Sequence, residues 1–130
     1  MGTAGFDRLQ MTRVTKIMSI GCTTLRVLPA LIVRINVARV GEAATSALPR
    51  LDSEIALHLS YLDSALQGRL YILGDELSAA DIQLSFIGEL ASARFGIASY
   101  PNIEAWIERF QAKPAYESAL ARGGAYSFAA

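Results

Sequence analysis

Cys22 and His58 are the only cysteine and histidine in the 130-residue chain, and they bound its chemistry first. A single cysteine excludes an internal disulfide framework and any CxxC redox pair, and one cysteine with one histidine cannot furnish a four-ligand Cys/His zinc site. Cys22 would act as a thiolate nucleophile only in an electropositive, accessible setting, and no spacing in the sequence supplies one. His58 has the chemistry of a general base, yet no nucleophile is spaced to meet it, so a boundary residue with one wetted nitrogen is the plainer reading. Glu89 is the carboxylate best suited to partial burial, either as a ligand contact or, as buried charge ordinarily requires, beside a structural partner. No catalytic or metal-binding residue is assigned.

Ser78 and Asp81 offer a different chemistry, that of closing a helix. A serine hydroxyl can accept from the amide three residues on, while the carboxylate there reaches back to the serine amide, so two orphan donors of a helix start are satisfied reciprocally. Leu77 before the cap and Ile82 four positions into the helix carry the spacing of a hydrophobic staple. Gly74-Asp75 supplies the preceding turn. The helix that follows is apolar on more than one side, with Ile82, Phe86 and Leu90 on one face and Leu84, Ile87 and Ala91 toward another. Such a helix is expected in the middle of a bundle, where unpaired amides cannot turn to water.

The surrounding elements read as helices. Leu51, Ile55, Leu59, Leu62 and Leu66 fall within about 80° of arc at ~100° per residue, which predicts an amphipathic helix over 49–67, stopped by Gly68. His58 lies about 20° outside that stripe. Ile103, Trp106, Ile107 and Phe110 cover about 100° of another helix, opened by Tyr100-Pro101 and stopped by Lys113-Pro114. Core packing is the ordinary role of the lone Trp106, ahead of stacking on a ligand. A short helix through Tyr116 and Leu120 follows, and Gly123-Gly124 releases a Tyr126-Ser-Phe128 tail. Leu28, Leu31, Ile32 and Ile35 predict a further helix, with Pro29 in its first turn or kinking it. No stretch from Ser46 onward reads as a strand, so the expected fold is an all-α bundle of about five helices.

Apolar residues make up 52% of the chain and charged ones 18%, a balance that can bury a real core. Twelve basic and twelve acidic side chains cancel, which removes the bulk electrostatic case for a nucleic-acid partner. Six basic residues against two acidic ones precede Ser46, a net +4 too modest to favour an anionic partner. Arg26, Arg34 and Arg39 interrupt the apolar stretch there before the ~20 residues of a membrane span, so a soluble cytoplasmic protein without a membrane partner is expected. Residues 1–24 carry no helical periodicity and are expected to form a loose or weakly helical lead segment.

The run Leu73-Gly-Asp-Glu-Leu-Ser-Ala-Ala-Asp-Ile82, followed by Tyr100-Pro-Asn-Ile-Glu-Ala-Trp106, Lys113-Pro-Ala-Tyr116 and Gly123-Gly124, closely resembles the carboxy-terminal helical domain of glutathione transferases, particularly bacterial ones. The resemblance is strong from Ser46 to Phe128. It extends over Val27–Ala44, where Leu28-Pro29 looks like the middle of the family's long fourth helix, and it fails before about Leu25. It implies a domain over residues 25–130 in which Ser78, Asp81, Leu77 and Ile82 open the central helix. In the family a thioredoxin-like amino-terminal domain binds glutathione and activates its thiol, while the helical domain shapes the pocket for the electrophile. The chain has no room for that domain, so the resemblance implies a truncated homologue without the glutathione site, without a cofactor of its own and without independent conjugation activity. Two readings stay open. One is a fragment whose partner is the missing thioredoxin-like domain. The other is a non-catalytic module that forms a homodimer or holds an apolar small molecule, with an apolar docking patch around Leu28, Leu31 and Ile35.

Overall fold

A computed structural model of the protein describes residues 29–34, 36, 41 and 45–124. Cys22, Leu28, Ile35, the lead segment 1–24 and the Tyr126-Ser-Phe128 tail lie outside the described residues. Residues 29–34 are helical, and four further helices follow: α1 (Leu48–Leu66), α2 (Ala79–Phe95), α3 (Pro101–Gln111) and α4 (Pro114–Gly123). Among the described residues there is no strand, only an isolated bridge between Tyr71 and Gly74. The protein is all-α.

Local chemistry explains where the helices begin and end. Proline occupies the first or second position of α1, α3 and α4, where its missing amide leaves no gap in the ladder. Gly68 and Gly96 follow α1 and α2 with φ of +68° and +76°, a left-handed backbone that other residues adopt only with strain. The stripe expected on α1 is buried at Ile55, Leu59, Leu62 and Leu66, with Leu51 half-buried at its start. These side chains meet Ile103, Trp106 and Ile107 of α3 and Leu84, Ile87, Leu90 and Ala91 of α2 in one core, joined by Ala30, Leu31, Tyr71, Ile72 and Ile97.

α3 lies against α1, α2 and α4, and α2 buries the most residues of the described helices, from Asp81 to Ala91, as expected of a helix in the middle of the bundle. Leu90 is buried on α2, but Ile82 and Phe86, expected on the same face, keep 59% and 38% of their surface exposed. An apolar pattern on two sides records what a helix could bury; the packing of α3 selects the Leu84–Ile87–Ala91 side and leaves the Ile82 edge outward.

At Gly88 the side chains of α3 press against the backbone of α2. A Cβ there would stand 3.0 Å from Cζ3 of Trp106 and 3.0 Å from Cδ1 of Ile107. The absent methyl is what lets the indole lie against the α2 backbone.

Candidate functional site

The loop between α1 and α2 carries Tyr71 and Ile72 into the core, pinned by reciprocal backbone bonds of 2.8 and 3.1 Å between Tyr71 and Gly74. This turn aims the amide of Ile72 at the side chain of Asp81. Ser78 has an extended backbone (φ −125°, ψ 167°) that turns the chain into α2.

Asp81 is fully buried. Its Oδ2 accepts from the amide and from the hydroxyl of Ser78, at 2.9 and 2.5 Å. Its Oδ1 accepts from the amide of Ile72 at 2.9 Å and from Nε1 of Trp106 at 3.0 Å. One carboxylate thereby ties the start of α2 to the preceding loop and to the middle of α3. The Asp81 amide bonds the Ser78 carbonyl at 3.1 Å, and the serine hydroxyl is a donor toward the carboxylate. Leu77 and Ile82, the pair with staple spacing, are 41% and 59% exposed, so any packing between them lies on the surface.

A second carboxylate acts across helices. Asp63 of α1 accepts at Oδ1 from the amides of Asn102 and Ile103, at 2.9 and 3.1 Å, and at Oδ2 from the Asn102 side chain at 2.8 Å. The residue before α3 is Tyr100, whose side chain makes no capping bond, so α1 supplies the acceptor from 39 residues away. The missing Ser, Thr, Asn or Asp before Pro101 was the signal that an acceptor had to come from elsewhere.

Glu89 is buried on α2 and accepts at Oε1 from Nε2 of Gln111 at 3.0 Å and from the hydroxyl of Tyr116. The Tyr116 ring stands edge-on to Phe110, centroids 5.5 Å apart. Burial, then the hydrogen bond and negative charge of Glu89, push the Tyr116 hydroxyl up to about 12. Glu89 therefore has structural partners from α3 and α4. Ser85, also buried, bonds back to the Ile82 carbonyl at 2.8 Å. Trp106 is a core residue with its polar tip paired, and His58 is half-buried beside the α1 stripe.

Open grooves lie on the surface, among them one of about 490 Å³ along Leu73, Asp75, Leu77 and Ser78 at the start of α2. A second, of about 320 Å³, runs past Leu70, Asn102 and Arg109, whose Nη1 donates to the Leu70 carbonyl at 2.7 Å. Another, of about 380 Å³, lies between the 29–33 segment and α1, lined by Pro29, Ala30, Val33 and Leu51. Among the described residues no group of three or more His, Cys, Asp or Glu could hold a metal ion, and no helix is long and apolar enough to cross a membrane.

A helical bundle whose central helix opens on a serine and a buried aspartate agrees with what comparison with known proteins finds. The family model described as glutathione S-transferase, C-terminal domain, matches residues 11–114. The chain belongs to that family. The match takes in residues 11–24, ahead of the boundary expected at residue 25. A crystal structure of a glutathione S-transferase from Actinobacillus pleuropneumoniae has a similar fold, with a TM-score of 0.69 at 23% identity over 96% of this chain. The chain spans 59% of the length of that transferase.

Proposed function

We propose that this chain is the electrophile-side helical domain of a glutathione transferase-type protein, cytoplasmic, and that alone it does not conjugate glutathione. The observation that carries this reading is the use made of the buried polar side chains. Asp81, Ser85 and Glu89 are the buried polar residues among those described, and each has its bonds inside the fold. Groups that hold helices together in this way are not free to lower a thiol pKa or to take a proton from a substrate. Ser78 and Asp81 serve the architecture, opening α2 and anchoring it, with Leu77 and Ile82 beside them. The match to the family's carboxy-terminal domain supports the same assignment.

The test is a conjugation assay on the purified chain with glutathione and 1-chloro-2,4-dinitrobenzene. The expected rate equals that of the heat-inactivated chain; turnover above it refutes the proposal. A second reading, a non-catalytic module for dimerisation or apolar-ligand binding, finds no support in Leu31, which the core buries completely, and draws instead on the 68% exposed Leu57 and 46% exposed Tyr61, one turn apart on α1. Sedimentation showing a monomer, together with no uptake of an apolar dye, would reject that reading.

A further inference from the structure

α4 is the one named helix that buries no residue. Of its ten residues only Tyr116 and Leu120, one turn apart, are half-buried. Its packing partner is α3, from which it is separated by an extended Lys113 (φ −77°, ψ 133°) and by Pro114, which cannot continue the hydrogen-bond ladder of α3. A helix of this length is marginal by itself in water, so its persistence rests on what ties it down. The tie that reaches past α3 is the Tyr116 hydroxyl, donating to the buried carboxylate of Glu89 on α2.

We infer that α4 is a strap that opens as a unit about the Ala112–Pro114 joint, latched shut by the Tyr116–Glu89 hydrogen bond, and that its opening uncovers the Glu89 carboxylate. The two sides of the joint are held unequally. On the near side, the Lys113 ammonium sits 5.3 Å from the centroid of the buried Tyr71 ring, so the hinge stays anchored while the helix beyond it is free to swing. Beyond the joint, the contacts that oppose departure among the described residues are the Phe110 ring edge, Leu120, the latch and the side-chain hydrogen bond of Tyr116 with Gln111.

Native-state hydrogen exchange of the full chain, read by mass spectrometry over peptides from α1, α2 and α4, tests this directly. In the unmodified protein the α4 amides are expected to exchange well ahead of the α1 and α2 amides, through a local opening. Tyr116→Phe removes the latch and keeps the ring; it is expected to speed α4 exchange roughly ten- to a hundredfold, with α1 and α2 changed less than about twofold. Leu120→Ala, which trims the other contact without touching the latch, is expected to speed the same amides selectively, and it serves if the first variant does not fold. Equal protection of α4 and the core, or a uniform rise in exchange across all helices in either variant, would overturn the inference.

Discussion

Replacing Asp81 by Asn should reveal how many elements one carboxylate holds. The aspartate accepts four hydrogen bonds, two at each oxygen, whereas asparagine offers one acceptor oxygen and a donor amide. With its oxygen toward Ile72 and Trp106, the asparagine leaves the Ser78 amide without an acceptor, while the serine hydroxyl can rotate to accept from the new NH₂. The opposite orientation orphans two buried donors and costs more. The cheaper arrangement loses one amide bond, at about 1–3 kcal/mol, and turns three charge-assisted bonds into neutral ones. A total of about 2–4 kcal/mol is a large part of a typical domain's stability. The decisive measurement is a double-mutant cycle with Trp106→Phe, read from urea midpoints of the four proteins. Trp106→Phe removes a bond to a carboxylate in the native protein but only a neutral bond in the Asp81→Asn background, so it should cost about 1 kcal/mol less there. Additivity to within about 0.3 kcal/mol would refute the assignment of Trp106 and Asp81 to one network.

Other perturbations probe the remaining contacts. Gly88→Ala gains up to about 1 kcal/mol of helix propensity but forces a methyl against an indole held by its own hydrogen bond, so a net loss of about 1 kcal/mol in the denaturation midpoint is expected. Asp63→Ala strips the amides of Asn102 and Ile103 of their acceptor and should cost about 0.5–2 kcal/mol, with loss of exchange protection concentrated in the first turn of α3. Tyr116 and Glu89 predict an alkaline effect. Above pH 10 the unfolded phenol ionises while the native one keeps its proton until about pH 12, so the native state binds more protons in that window. The stability owed to this site is whole below pH 10 and lost as pH rises toward 12; measured against Tyr116→Phe, the wild-type advantage should shrink over that range.

Much of the architecture was legible because it is written in local spacing. Leu51 to Leu66 define a stripe, and that stripe is the buried face of α1; Ile103, Trp106 and Ile107 do the same for α3. α2 was harder, since a helix apolar on two sides does not declare which side meets its neighbour, and Ile82 and Phe86 were placed inward on a pattern that Leu84 and Ile87 satisfied equally. The polar core was half legible. The relation of Ser78 to Asp81 spans three residues and follows from the rules of helix starts, but the reach of the same carboxylate to Ile72 and Trp106 spans 9 and 25 residues and depends on the loop and on α3 arriving together. Asp63 carried no local mark, being one charge beside an apolar stripe. The role of Gly88 has no local mark either, and appears only once the indole is set against it.

The dependence of α3 on Asp63 reaches beyond static stability. Because its opening turn is tied off by a residue from a distant stretch, the segment from Pro101 to Gln111 should not hold a helical shape as a free peptide. Its order is conditional on α1 already being in place, which makes the two helices one cooperative event. A nicked protein cut in the exposed turn near Asp75 would then be expected to regain its helical signal only when both pieces are mixed.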